Sequence, residues 1–212
     1  MKKALFAVVG IMLVASSAFS YTINDNVNDQ IGVSTFDIYG IDITNSGGNL
    51  VFDIYTNYPQ SGLPVGSWNT FSGDLALSVT DSYDWSYGIA LTDHDGLTAG
   101  TLYSNAQWYK SNDYEPASGG YTYNKNMMVT LSSGSVFGVG SVAWQSITGS
   151  PDYKITVSVP YVEGYTPDFM HTYMASATCA NDFVGAPEPV STILFIAGGT
   201  VLLARRMRKA KK

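Results

Sequence analysis

The stretch IDITNSGGNLVFDIY, residues 41–55, shows most directly how this chain folds. Apolar and polar side chains alternate on both sides of the NSGG segment at 45–48. Such alternation is typical of half-buried β-strands, and a Gly-rich pair between two runs is typical of a hairpin turn. The stretch therefore predicts two antiparallel strands, with Leu50, Phe52 and Ile54 on one buried face.

The same period of two recurs along the chain, separated by loops rich in Gly, Ser, Asp and Pro. The alternating apolar positions are Phe36 and Ile38; Leu75, Leu77 and Val79; Tyr87, Ile89 and Leu91; Met127, Val129 and Leu131; and Ile155, Val157 and Val159, with less regular candidates at 136–144 and 172–178. No segment of residues 21–186 combines a helical period with helix caps. We predict an all-β domain of about eight to ten strands, an antiparallel two-sheet sandwich that is jelly-roll-like.

The N-terminus has the pattern of a secretory signal peptide. Lys2 and Lys3 precede an apolar run over residues 4–14, and small residues follow up to Ser20. We predict a signal peptide over residues 1–20, cleaved after Ser20, and an exported domain over residues 21–186.

The C-terminus has a short motif, an apolar run and a basic end, in that order. The motif is Pro187-Glu188-Pro189, and the apolar run covers residues 190–204. As a helix the run is about 22 Å long, short of a hydrocarbon core of about 30 Å, but flanking basic side chains can reach the headgroups. We predict one transmembrane helix with a cytoplasmic C-terminus, because basic residues favour that side. The basic residues that stop transfer are Arg205, Arg206, Arg208 and Lys209.

Residues 187–212 resemble the PEP-CTERM sorting signal of bacterial exosortase substrates. The matching features are the Pro187-Glu188-Pro189 motif, the apolar run with Gly198-Gly199, and the Arg205-Arg206 start of the basic end. The resemblance implies that an exosortase recognises the tail and cleaves near the motif. It also implies an inner-membrane-anchored precursor whose domain is then released to the cell surface or the extracellular matrix, with exopolysaccharide as a further partner.

The exported region is strongly acidic. Residues 21–186 contain three basic and 16 acidic residues, a net charge of −13. Nucleic-acid binding needs basic patches, so this charge argues against a nucleic-acid partner. It fits either a soluble surface protein or a protein that attracts divalent cations.

Cys179 is the single cysteine of the chain, so no intrachain disulfide can form. Burial of the thiol and pairing between two chains are both open. A nucleophile pair with His171 finds no support, because no basic neighbour activates Cys179.

Asp93-His94-Asp95-Gly96 is the candidate calcium loop in the sequence, because it offers two carboxylates and a sharp turn. Asp81 and Asp84 could complete the shell. The alternative is an ordinary Asp-Gly turn without metal, and no other cofactor is expected.

Trp108, Tyr109 and Trp68 are the candidate sugar-stacking residues. The first two lie in a stretch that reads as polar and loop-rich, where aromatic rings are expected to be exposed.

These observations favour a non-catalytic structural or adhesive surface protein. A calcium-assisted carbohydrate-binding module is the first alternative. A secreted glycoside hydrolase is the second, since the domain has many carboxylates.

Overall fold

The structure is a computed structural model that describes residues 19–26, 29–65, 68–114, 123–168 and 170–185. Most of the regular structure in these ranges is β-strand. The elements are β1 (Ser20–Asn24), β2 (Ile38–Ser46), β3 (Asn49–Thr56), β4 (Leu63–Val65), β5 (Trp68–Thr70), β6 (Leu75–Leu77), β7 (Tyr87–Ile89), β8 (Thr101–Lys110), β9 (Met128–Val139), β10 (Ser141–Ser146), β11 (Tyr153–Pro160), β12 (Thr172–Ala175) and β13 (Phe183–Gly185), with a 3-10 turn at Ser34–Phe36 and a one-turn helix, α1, at Ser111–Tyr114.

The hairpin predicted from residues 41–55 is confirmed. β2 and β3 pair antiparallel up to Ser46 opposite Asn49, which leaves Gly47 and Gly48 as the two-residue turn. Both glycines have positive φ angles, 61° and 83°, as the preferred turn of a tight hairpin requires. The apolar face of β3 is fully buried, so the alternating pattern orients this hairpin against the core.

Two open antiparallel sheets carry the core. One has the order β1-β2-β3-β11-β10, the other the order β13-β12-β6-β7-β8-β9, and β4 and β5 form a separate small ribbon. The main buried cluster combines side chains of both sheets, for example Phe52 and Val157 from the first with Leu75 and Ile89 from the second. The structure is therefore all-β, consistent with the predicted sandwich. Its jelly-roll-like connectivity stays a prediction.

The two sheets meet along two opposite sides. On one side β1 contacts β13, so the first and last strands lie together; we call this the terminal side. On the other side the chain runs from β9 directly into β10 through Gly140, passing from one sheet to the other. The outer strands of both sheets on that side thus belong to one continuous segment.

The expectation that Trp108 and Tyr109 lie in a loop-rich stretch is wrong. Both belong to β8, which pairs along its length with β9. The alternation is hard to see in the sequence because the register shifts within the pairing and Asn105 has a φ of 52°. Polar residues therefore fall where a regular strand would have apolar ones.

A buried carboxylate joins strands that are not neighbours in the sheet. Asp74, directly before β6, accepts hydrogen bonds from the Leu131 N–H of β9 at 2.8 Å and from the Leu91 N–H after β7 at 2.9 Å. Its own N–H donates to Val129 O of β9 at 2.8 Å. Asp74 thus links β6 to β9 across β7 and β8. His94 Nε2 lies 2.8 Å from Asp74 Oδ2, the oxygen that also accepts from the Leu131 N–H.

Replacing Asp74 with Ala should lower the free energy of unfolding by about 3–5 kcal/mol. The substitution leaves the N–H groups of Leu91 and Leu131, both fully buried, without their acceptor. Urea unfolding measures the change. The exposed Asp152, replaced with Ala, is the control and should change stability by about 0.5 kcal/mol or less. A loss below about 1 kcal/mol for Asp74→Ala would contradict this role for the carboxylate.

Candidate metal centre

Three carboxylates converge on the terminal side. Asp25, Asp29 and Asp182 each offer an oxygen, and these oxygens lie within 4.8 Å of one another. They are the one such group of three or more His, Cys, Asp or Glu side chains within the described ranges. Asp25 directly follows β1 and Asp182 directly precedes β13, so the contact between the two strands brings the distant residues together.

Backbone contacts fix the geometry of the segments that carry the group. The Ile31 N–H donates to Asn181 O at 2.7 Å, which ties the segment after Asp29 to the segment before Asp182. Asp182 is itself held rigidly: Oδ2 accepts from the Ile38 N–H at 2.6 Å and Oδ1 from the Phe183 N–H at 2.8 Å. Asp182 is thus a preorganised carboxylate on the edge of the sandwich.

Asp25, unlike Asp182, has a carboxylate oxygen that accepts no hydrogen bond from the described residues. Its Oδ2 is shielded from solvent and has no hydrogen-bond partner among the described residues. Two neighbours of the group show the same feature, because Gln30 Oε1 and Asn181 Oδ1 are also buried without a donor in that part of the chain. Buried oxygens without donors cost free energy, and a cation, a proton or an ordered water would satisfy them.

The pKa shifts of the three carboxylates also indicate that the group lacks a positive partner. Burial, together with the negative charges of Asp182 and Asp29, raises the pKa of Asp25 to about 8. Burial likewise raises the pKa of Asp182 to about 7, although the Ile38 N–H opposes the shift. Burial also raises the pKa of Asp29. Three carboxylates this close hold their full charge only when something positive joins them.

The donor set fits a hard cation. Calcium takes about six to eight oxygen ligands, from carboxylates, amide carbonyls and water. Asp25, Asp29 and Asp182 supply three carboxylates, and the amide oxygens of Gln30 and Asn181 lie on adjoining residues. Zinc prefers Cys and His ligands, which this group lacks. We therefore treat Asp25, Asp29 and Asp182 as the candidate calcium centre.

The calcium residues predicted from the sequence have other partners. Asp93 Oδ1 accepts from the Ala99 N–H at 2.8 Å, and Asp84 Oδ1 accepts from Ser78 Oγ at 2.7 Å. Asp95 lies 3.3 Å from His94, and Asp81 lies 3.2 Å from His171. The structure does not bring these four carboxylates into one shell, so the predicted loop makes local turn and ion-pair contacts instead.

Each histidine lies between two carboxylates. His94 contacts Asp74 at 2.8 Å and Asp95 at 3.3 Å, and the hydrogen bond to Asp74 raises the pKa of His94. His171 Nδ1 lies 2.7 Å from Asp168, and its Nε2 faces Asp81. A small cavity of about 230 Å³ adjoins His94 and Asp95. Because carboxylates engage both ring nitrogens of each histidine, neither ring has a nitrogen free to act as a general base on a substrate.

The candidate sugar-stacking residues are partly used by the fold. Trp108 is half-buried, and its Nε1 donates to Trp85 O at 3.0 Å. A Cβ on Gly88 would lie 2.8 Å from the Trp108 ring, so the indole packs directly over that glycine. Tyr109 is also half-buried and meets the Tyr114 ring edge-on at 5.6 Å. Trp68 lies in β5, opposite Val65. The structure does not present Trp108 and Tyr109 as the open platform that the sequence suggested.

Cys179 is buried in a small cluster with Phe36 and Tyr58. Burial raises the pKa of the Cys179 thiol to about 11. The thiolate is the reactive form, so this side chain is chemically quiet at neutral pH. Of the two interpretations left open by the sequence, the structure fits the buried thiol.

The sorting residues fall outside the described ranges. This applies to the motif Pro187, Glu188 and Pro189, to the apolar run, to the basic end, and to residues 1–18 of the predicted signal peptide. In the ranges that are described, none of the helices has the length and apolar character needed to cross a membrane. Comparison of the chain with protein-family models, with curated proteins and with solved structures gave no match.

Sequence reasoning missed the carboxylate group for a clear reason. Asp25 and Asp29 flank the run Asn26-Val27-Asn28, a local concentration of oxygen donors that could have drawn attention. Asp182, however, is more than 150 residues away along the chain. Its position follows only from the contact between the first and last strands, which lie in different sheets.

Calcium should stabilise this protein. At a free concentration of 100 times Kd, a cation bound only to the folded state contributes about 2.7 kcal/mol, or about 5–10 °C in Tm for a chain of this size. Differential scanning fluorimetry with calcium and with chelator measures the shift. Asp25→Asn should abolish it, whereas Asp93→Asn, in the loop predicted from sequence, should keep it. An equal Tm with calcium and with chelator would remove the candidate centre.

Without calcium, stability should fall as the pH rises. Asp25 and Asp182 have folded-state pKa values of about 8 and about 7, both above the ordinary 3.8, so the folded protein holds protons that the unfolded chain releases. Their contribution is complete below about pH 4 and is lost on the way to about pH 8. Urea unfolding in chelator across this range should show the decline, and Asp25→Asn should flatten it. A decline that is identical in wild type and Asp25→Asn would contradict the assignment.

Proposed function

We propose that this chain is an exported bacterial surface or matrix protein with a non-catalytic structural or adhesive role. An exosortase-type system sorts it through residues 187–212, and the exported domain covers residues 21–186. The observation that carries the proposal is the order of motif, apolar run and basic end at residues 187–212, together with a signal-peptide pattern at the other end.

The position of the first strand is compatible with this route. β1 begins at Ser20, opposite Thr44. Cleavage after Ser20 would remove one residue of β1 and leave residues 21–24 paired with β2. The mature protein would therefore keep four of the five residues of β1 and would lose the Phe19 carbonyl that accepts from the Asn45 N–H at 3.1 Å.

The candidate calcium centre supports a cation-dependent form of this function. Oxygen-rich sites in extracellular proteins commonly bind calcium at the higher free concentrations found there. The centre would join the first and last strands of the domain, so calcium would stabilise the exported form. This supports the calcium part of the calcium-assisted carbohydrate-binding alternative, while its sugar part lacks an open aromatic platform at Trp108 and Tyr109.

The mass of the mature protein tests the proposed route. Protein recovered from culture fluid should begin at Tyr21 and end near the motif, without the basic end. Changing Pro187, Glu188 and Pro189 together to Ala should keep the intact tail on the protein and shift it to the membrane fraction. Changing Glu163, in the exported domain, to Ala should leave the processing unchanged.

Native protein found in the cytosol, or Lys212 still present on material shed from the cell, would overturn the proposal. Turnover of a polysaccharide that is lost in Asp25→Asn would favour the hydrolase instead.

A further inference from the structure

Residues 132–139 of β9 form an open strand edge. β9 is the last strand of the six-stranded sheet and pairs with β8 on its inner side. Near its start, the outer side of β9 is occupied, because Asp74 binds Val129 O and the Leu131 N–H. Beyond that point no strand of the described chain pairs with the outer side. An open edge offers a row of main-chain donors and acceptors to another strand.

The open edge is apolar as well as unpaired. Val136 is 64% exposed, Phe137 47% and Val139 75%, and the three lie within four residues. Phe137 meets Tyr87 of the inner strand β7 edge-on at 5.4 Å, which holds its ring in place on the surface. Lys, Pro and inward charges commonly protect edge strands, and residues 132–139 contain none of these. The stretch does have register shifts in its pairing with β8, between Gly138 and Val136 and between Ser135 and Ser133.

The charge distribution restricts what can bind there. Residues 126–151 contain no charged side chain, and this is the longest uncharged run of the exported region. The rest of that region carries the net charge of −13. A cationic partner would be drawn to the acidic surfaces, and an anionic partner would be repelled by them. An uncharged strand is the partner that this edge favours.

A second copy of the same chain supplies such a strand. Two β9 edges that pair antiparallel about a twofold axis are self-complementary, as a twofold dimer requires. With the axis near Phe137, that side chain faces its own copy and Val136 lies opposite Gly138 of the second copy. The uncharged run is also where two copies of a domain with a charge of −13 can approach with least repulsion.

We propose that two copies of this protein associate through antiparallel pairing of residues 132–139 of β9. The main-chain hydrogen bonds of the open edge hold the pair together, and Val136, Phe137 and Val139 become buried. The pairing does not depend on the sorting route or on calcium.

Sedimentation of the full chain tests the pairing, in a mild detergent that covers residues 190–204. The wild type should form a dimer that strengthens as salt screens the repulsion between two acidic domains. Val136→Lys combined with Val139→Lys should raise the dimer Kd at least tenfold. Val33→Lys is the matched control, because Val33 is 60% exposed and adjoins Ile31 and Asn181 rather than β9, and it should leave the Kd unchanged. Circular dichroism and Tm confirm that each variant is folded.

A crosslink gives a second readout that does not rely on disrupting the edge. Strand residues directly opposite each other in an antiparallel pair have Cα atoms about 4.5–5.5 Å apart, which suits a disulfide. Phe137→Cys should therefore form a covalent dimer on mild oxidation, while Val33→Cys should stay monomeric. The buried Cys179 should not interfere, because its pKa is raised to about 11 by burial.

A wild-type monomer at every concentration and salt would overturn the proposal. So would a dimer that withstands the double Lys variant, or oxidation that crosslinks Phe137→Cys and Val33→Cys equally.

Discussion

The structure depends on how the domain accommodates negative charge with very few cations. Residues 21–186 hold three lysines against 16 acidic residues, so buried carboxylates need other partners. Asp74 uses two backbone N–H groups and His94. Asp182 uses the N–H groups of Ile38 and Phe183. In both cases the backbone supplies the positive end of the interaction, and the strands that supply it are fixed relative to one another.

Asp25 is a buried carboxylate for which the described backbone does not supply enough donors. Its buried Oδ2 has no donor in the described chain, and Asp29 and Asp182 lie close by. A cation there would do what lysine or arginine does in proteins of balanced composition. It would also close a loop that runs from residue 25 to residue 182, nearly the whole domain, and links that close long loops remove the most freedom from the unfolded chain. The contact between the two end strands thus brings carboxylates together, and a cation that neutralised them would also fix that contact.

The sequence predicted those features that repeat locally. The β2–β3 hairpin and the buried face of β3 follow from a period of two and a Gly-Gly turn, which are readable within 15 residues. β8 was missed because its register shifts around Asn105 disturb that period. The hydrogen bonds of Asp74 and the proximity of Asp25 to Asp182 could not be predicted from the sequence, because each depends on which strands become neighbours after folding. A local pattern carries no information on that choice.

The terminal side and the β9–β10 side lie at opposite ends of the sandwich. The segment that leads into β9 touches the terminal side, where the Asn124 side-chain amide donates to Ala180 O at 2.8 Å, and β9 then runs to the β9–β10 side at Gly140. Pairing through residues 132–139 would use only the part of β9 beyond its contact with Asp74, so neither β1 nor β13 would take part in it. Each copy would keep its own Asp25, Asp29 and Asp182 group, and the free energies of dimerisation and of cation binding would be additive.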